Sequence, residues 1–151
     1  MDEIKFKLNP VEKKPKKGSE KVNKTVTWIV FDTSKQDIET VMRDYQALAM
    51  RFLWGSGKEG ANSREIWLHV NKLLMEKGIS ISRASIINAM NAMVDAGVLN
   101  YTEKPGKGGY HRVYSPAFDE EGFKRHMAKT VISKLSDTWP DATREALTTL
   151  D

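Results

Sequence analysis

The sequence predicts a mainly helical protein with one small β-hairpin, and three observations support this fold class. Apolar residues recur three and four positions apart in several separate stretches, the spacing that gives a helix one apolar face. Glycines interrupt these stretches at 55–60, 78 and 97. Two extended runs then follow Gly97 and flank a tip rich in Lys and Gly, a pattern typical of two strands joined by a turn.

Composition is that of a soluble protein without cysteine chemistry. The 151 residues suit one compact domain, and 40% apolar and 29% charged residues are ordinary for such a domain. No apolar run approaches the roughly 18 residues that span a bilayer, and the N-terminus lacks the apolar core of a secretory signal. We therefore expect a cytoplasmic protein. Without cysteine, disulfides and thiolate zinc sites are excluded.

The formal net charge of +4 belongs to the N-terminal segment. Residues 1–24 contain eight lysines against four acidic residues, whereas the remaining chain has 16 basic and 16 acidic residues. Residues 10–24 hold too few apolar side chains to offset their ordering entropy, so we predict a flexible basic tail over 1–24 and a single domain over 25–151. The tail is either a solvated segment or an arm that follows a DNA backbone.

The first elements of the domain are a short strand and a helix. Residues 25–31 are β-branched and aromatic, which favours a strand. Ser34 with Asp37 resembles a capping box, so the first helix is predicted over 34–54, before the glycines of 55–60. Its apolar residues are Ile38, Val41, Met42, Tyr45, Leu48, Ala49 and Phe52.

Residues 63–116 have the pattern of two helices, a turn and a hairpin. A helix capped by Ser63 runs to about residue 76, Gly78 marks a turn, and Ser82 caps a second helix over 83–96. The hairpin follows directly and ends at Pro116. This order predicts a winged helix-turn-helix, with 83–96 as its recognition helix and 104–112 as its wing.

The chemistry of this segment makes double-stranded DNA the expected partner. Outside its core-facing residues Ile86, Met90 and Met93, the helix presents short polar side chains that can read base edges. Cations of the wing suit flanking phosphates or a minor groove. The predicted DNA-binding residues are Ser82, Arg83, Ser85, Asn88 and Asn91 in the helix and Lys104, Lys107, His111 and Arg112 in the wing. The alternatives are an ordinary solvent-facing helix surface and a soluble turn.

The same residues resemble the winged helix-turn-helix of the MarR-like group of bacterial and archaeal transcriptional regulators, together with its BlaI-like (penicillinase-repressor) relatives. The resemblance lies in residues 82–86 (SRASI) at the helix start, 97–99 (GVL) at the turn into the wing, and 114–116 (YSP) in the return strand. It covers about a third of the chain. It implies a dimer whose recognition helices enter successive major grooves while the wings contact flanking backbone.

A third amphipathic stretch opens at Asp119 or Glu120, and Pro140 suits the first turn of a last helix. Because terminal helices form the subunit interface in MarR-like proteins, the resemblance implies N- and C-terminal dimerisation helices and a homodimer. The residues placed at the interface are Tyr45, Phe52, Phe123, Met127, Val131, Leu135 and Trp139. The alternative is that these apolar stripes pack only within one chain.

No catalytic, metal or cofactor motif is visible. The three histidines, His69, His111 and His126, lack metal-ligand spacing, and residues 55–60 do not match a phosphate-binding loop. The four tryptophans suit core packing or the lining of an unidentified effector's pocket. We therefore expect a dimeric DNA-binding regulator, acting as a repressor by occupying a promoter. The alternative is a winged-helix module for protein–protein contact in a transcription or chromosome-associated complex.

Overall fold

The computed structural model describes residues 5–7 and 28–150, and the chain divides into two compact units at Ala117/Phe118. The sequence predicted one domain over 25–151 with C-terminal helices over 119–151, and this stays a prediction. The first unit contains β1 (Lys5–Lys7), β2 (Val30–Asp32), α1 (Asp44–Gly55), β3 (Ala61–Asn62), α2 (Ser63–Met75), α3 (Arg83–Asp95), β4 (Leu99–Gly106) and β5 (Gly109–Pro116). The second unit contains α4 (Glu120–Thr138) and α5 (Pro140–Thr148). Among the described residues, no helix is long and apolar enough to cross a membrane.

The expected fold class is confirmed at the level of a mainly helical chain with a small antiparallel sheet, an arrangement compatible with a winged helix. The three-stranded sheet has the order β3-β5-β4, so β5 pairs on both of its edges. Both partners are antiparallel, with Ala61 opposite Tyr114 in one ladder and Leu99 opposite Pro116 in the other. The two extended runs predicted around the glycine-rich tip are therefore strands of one continuous hairpin.

The core of the first unit forms where three helices turn their apolar stripes inward. The stripes follow the three- and four-residue spacing seen in the sequence, and each buried side chain of this size stabilises the fold by about 1.5–3 kcal/mol relative to exposure. The fully or nearly fully buried members are Met50 and Leu53 of α1, Ile66, Val70 and Leu74 of α2, and Ile86, Met90 and Met93 of α3. The predicted core face of the second helix of the pair is thereby confirmed.

The predicted first helix, 34–54, is wrong at its N-terminal end. Ser34 does not cap a helix; its amide and hydroxyl both donate to Asp32 Oδ1, at 3.0 and 2.6 Å, and close a turn after β2. A short 3-10 helix follows at Asp37–Thr40, and α1 begins only at Asp44. The apolar spacing predicted one long helix because the 3-10 helix and α1 together continue a single apolar stripe.

An ion pair joins this 3-10 helix to α1. The Arg51 guanidinium donates to both carboxylate oxygens of Glu39, with 2.8 Å between Nη2 and Oε2. These charge-assisted hydrogen bonds lower the pKa of Glu39, so the carboxylate stays ionised. The side chains are only partly shielded from water, which limits such a pair to about 1 kcal/mol.

Part of the predicted tail is a strand. Lys5–Lys7 pair antiparallel with β2, and the register places Phe6 opposite Phe31. A strand is possible here because the segment alternates charged and aromatic residues, unlike the lysine- and proline-rich residues after it. The rest of the predicted tail, 1–4 and 8–24, lies outside the described residues, as do residues 25–27 of the predicted strand.

For the three helices after α1, the caps agree with the sequence at two positions, α3 and α4. Ser82 accepts from the Ser85 amide and Asp119 accepts from the Gly122 amide, as expected for α3 and α4. For α2 the N-cap is Asn62, not the predicted Ser63. The Asn62 side chain accepts from the Glu65 amide at 2.9 Å and donates to its carboxylate at 3.0 Å, a reciprocal pair that Ser63 could not form.

Gly60 permits the edge strand β3 to reach β5. Its φ is +71°, and a Cβ at this position would lie 2.2 Å from the carbonyl oxygen of Tyr114. No side chain can rotate to relieve a contact with backbone, so only glycine fits without moving β5. Gly57 has the same φ of +71°, but a Cβ there would meet nothing within 4 Å, so a side chain at this position incurs strain from positive φ without a contact to another strand.

We expect Gly60→Ala to destabilise the protein by at least about 2 kcal/mol more than Gly57→Ala, because both positions have a positive φ but only the Gly60 substitution places a Cβ against the β5 backbone. Urea denaturation of the two variants measures this difference. Equal losses of stability would show that β3 and β5 do not approach as closely as described.

Candidate nucleic-acid interface

Helix α2 holds the segment that leads into α3. The indole nitrogen Nε1 of Trp67 donates to the carbonyl oxygen of Ile81 at 2.7 Å. The side-chain oxygen of Asn71 accepts from the Ile81 amide at 2.9 Å. Both backbone groups of the residue before the Ser82 cap are thus fixed from one neighbouring helix, which sets where α3 begins.

Three of the predicted DNA-binding residues cluster at the exposed N-terminus of α3. Ser82 Oγ accepts from the Ser85 amide at 3.1 Å, and the two hydroxyl oxygens lie 2.9 Å apart. The Arg83 guanidinium is exposed and lies 3.3–3.4 Å from Ser63 Oγ at the start of α2. Amides and one cation at a helix N-terminus favour an anion such as a phosphate.

The outward face of α3 offers short side chains over its first two turns. Ala84 and Asn88 are exposed, and the Asn88 side chain makes no hydrogen bond within the described part of the chain. Asn91, one turn later, is half-buried. Asp95 is exposed near the end of the same face and was not singled out in the sequence. Its negative charge disfavours close approach of phosphate there, so the polar surface open to an anionic partner is the N-terminal half of the helix.

The wing presents its cations near the tip. Gly108 and Gly109 have φ of +87° and +118°, values that favour glycine and allow the tight turn between β4 and β5. Lys104, Lys107 and His111 are exposed, and Lys104 lies opposite His111 in the register. Cross-strand partners project from the same face of a hairpin, so these two residues share a face.

Arg112 projects from the other face of the hairpin and contacts α3. Its Nη1 donates to Asn91 Oδ1 at 3.1 Å, and its guanidinium carbon lies 3.9 Å from the centre of the Tyr101 ring. The Tyr114 hydroxyl donates to the same Asn91 oxygen at 2.7 Å. Burial raises the pKa of Tyr114, which keeps this donor protonated. The sequence predicted Asn91 and Arg112 as separate DNA contacts; the structure pairs them with each other.

Tyr101 and Tyr114 were missed by sequence reasoning, although a signal was present. Counting outward from the glycine-rich turn places them opposite one another in the hairpin, and the register confirms this pairing. Alternation along β5 then places Arg112 on the face that carries both tyrosines. Trp67 was considered only as a core or pocket residue, and no local signal links it to Ile81, 14 positions away.

The residues predicted for a dimer interface are distributed over both units. In the first unit Tyr45 and Phe52 are half-buried, and the Phe52 ring stacks on His69 with 4.4 Å between ring centres. In the second unit Phe123 and Met127 are buried within the single chain, Val131 and Leu135 are half-buried, and Trp139 is 60% exposed. The part of the stripe accessible to a partner is therefore its C-terminal portion.

An open groove of about 820 Å³ lies in the first unit, between the β2 region, the start of α1 and the α2–α3 turn. Its apolar lining includes Val30, Tyr45 and Ile79 rather than a cluster of tryptophans. Trp28 is buried and Trp67 is engaged with Ile81. Within the described residues, no group of three or more His, Cys, Asp or Glu side chains is arranged to hold a metal ion.

No protein-family model matches this chain, and a comparison with curated proteins finds none that is significantly similar. The observations that bear on function are therefore the geometry of α3 and of the wing.

Ser82→Ala should lower the free energy of unfolding by about 1 kcal/mol, because the Ser85 amide loses its acceptor at the start of α3. Ser80→Ala is the matched control, since Ser80 is exposed and makes no side-chain hydrogen bond in the described part of the chain. Thermal or urea denaturation provides the measurement. An equal effect of both substitutions would contradict the capping role.

Proposed function

We propose that this chain is a DNA-binding transcriptional regulator of the winged helix-turn-helix type, similar to the MarR-like and BlaI-like regulators, and that it acts as a repressor. Helix α3 would enter the major groove, and the wing would contact flanking backbone or the minor groove. One observation carries the proposal: the Asn91–Arg112 hydrogen bond joins α3 and the hairpin, so two elements suited to DNA form one continuous surface.

On this surface, α3 would supply the side chains that contact bases, and the wing would supply most of the positive charge. Asn88 can accept from adenine N6 and donate to N7, and Arg83 can pair with guanine or with a phosphate. Ser82 and Ser85 lie beside Arg83, where their hydroxyls and the helix amides suit a phosphate oxygen. Exposed Lys104, Lys107 and His111 supply the positive wing. Because α3 itself carries only one cation, non-specific attraction comes mainly from the wing.

A homodimer is part of the proposal. The second unit consists of two helices and leaves Ile132, Trp139, Leu147 and Leu150 between 39% and 73% exposed. A two-helix unit of this size has too little buried surface to be stable by itself, and exposed apolar residues of this kind are typical of a covered interface. The two DNA-binding units of a dimer would also bind a two-fold symmetric DNA site far more tightly than one unit.

The second candidate is a protein-binding module, and the balanced charge of residues 25–151 with Asp95 on the outward face of α3 favours it. The two candidates differ in salt dependence, because only a DNA-binding protein should lose affinity for duplexes steeply as salt rises.

Selection of bound sites from random duplexes tests the regulator proposal. It should return a pseudo-palindrome with half-sites about one helical turn apart. If no duplex is selected at low salt, the regulator proposal fails and the protein-binding candidate remains.

Lys107→Gln should weaken binding to the selected site and to unrelated duplexes alike, because it removes one phosphate contact. The slope of log affinity against log salt concentration should fall by about one. Asn88→Ala should instead relax the preference at one base pair, with a discrimination loss of about 1–3 kcal/mol. Lys72→Gln on α2 makes the same charge change in the same unit, at an exposed residue that is not among the predicted DNA contacts, and should leave the slope unchanged. Fluorescence anisotropy titrations in several salt concentrations provide these values.

Replacing both Val131 and Leu135 with Asp should yield a monomer, because charge is introduced into the half-buried stripe of α4. We expect affinity for the full palindrome to fall by about a hundredfold while affinity for a half-site is retained. Ser133→Asp, exposed on the same helix, is the control. Sedimentation velocity measures the oligomeric state, and a dimeric double variant would place the interface elsewhere.

A further inference from the structure

We propose that Arg112 and Asn91 are positioning residues that fix the wing against α3, rather than direct contacts to DNA. With Tyr101 and Tyr114 they form what we call the wing lock. The expected effect on DNA affinity rests on the proposed function, whereas the effect on the mobility of the wing is measured in the free protein. It changes the role expected for two of the nine predicted DNA-binding residues.

The side-chain oxygen of Asn91 is saturated. A carbonyl oxygen has two lone pairs, and here one accepts from Arg112 Nη1 at 3.1 Å and the other from the Tyr114 hydroxyl at 2.7 Å. Because a guanidinium can only donate, the oxygen and not the nitrogen of the amide must face Arg112. Bidentate recognition of adenine needs this same oxygen to accept from N6, so Asn91 cannot read adenine while the lock is closed.

Arg112 is held on two sides in a way that suits its planar group. Its guanidinium lies 3.9 Å over the Tyr101 ring while its Nη1 bonds to Asn91. Stacking and hydrogen bonding together use the flat fork that lysine lacks. The register places Lys104 and His111 on the opposite face of the hairpin from Arg112, so these two wing cations are not on the lock's face.

Tyr114 connects the lock to the core. It is only 2% exposed and lies on β5, the central strand, opposite Ala61 of β3. A buried hydroxyl with its partner on α3 has no access to DNA, so any effect of its removal must be transmitted through Asn91. This makes Tyr114→Phe the substitution that separates positioning from contact.

The free protein provides the first test. Asn91→Ala and Arg112→Lys should each increase the picosecond-to-nanosecond mobility of residues 101–112, measured by backbone ¹⁵N relaxation, and Tyr114→Phe should do so more weakly. Asn88→Ala, the same substitution one turn earlier on α3, should leave the wing unchanged. Unchanged wing relaxation in both Asn91→Ala and Arg112→Lys would overturn the lock whether or not the protein binds DNA.

DNA binding provides the second test. Each lock variant should weaken affinity by about three- to tenfold, uniformly across sequences and with an unchanged salt slope, because each loses a hydrogen bond within the protein and no contact to a phosphate. The Asn91→Ala/Arg112→Lys double variant should lose little more than either single one. Loss of preference at one base pair in Asn91→Ala would overturn the proposal. So would a salt slope reduced by about one in Arg112→Gln together with normal binding by Tyr114→Phe.

Discussion

The pairing of β5 on both of its edges is the constraint on which the candidate interface depends. One edge holds β3, from which α2 begins at the next residue, and the other edge holds β4, the first strand of the wing. The close approach of Gly60 to the Tyr114 carbonyl allows the first of these pairings. Helix α2 then fixes the entry to α3 through Trp67 and Asn71. Sheet pairing, helix start and wing position are therefore parts of one connected arrangement.

The interface combines modest charge with well-defined geometry. Helix α3 has a single cation, Arg83, and an acid, Asp95, at its other end, so it cannot hold DNA by electrostatics alone. Its exposed polar side chains are short and would lose little side-chain entropy on binding. Under the proposed function, a surface of this kind would gain affinity from correct placement and from a second copy, so the wing lock and the exposed apolar residues of the second unit would serve the same function.

The region best predicted from sequence was 63–116. There the helical periodicity, the glycines and the strand pattern indicate the same elements, and each apolar stripe lies on a single helix. The N-terminal region lacked this agreement. Ile38 belongs to a 3-10 helix and Met42 lies between it and α1, yet their spacing continues the stripe of α1. The competing interaction was the pair of bonds from the Ser34 amide and hydroxyl to Asp32, which closes a turn where the predicted helix would begin.

The sequence by itself determined the helix-turn-helix and hairpin order, the core-facing residues of α2 and α3, and the location of the wing's cations. These follow from local periodicity, capping and turn chemistry, which act over a few residues. Only the tertiary structure decided which polar residues remain available. Asn88 and Asn91 are indistinguishable as sequence, but Asn91 receives donors from residues 21 and 23 positions away. Hydrogen bonds over such separations depend on strand register and helix packing, so they arise only once the chain is folded.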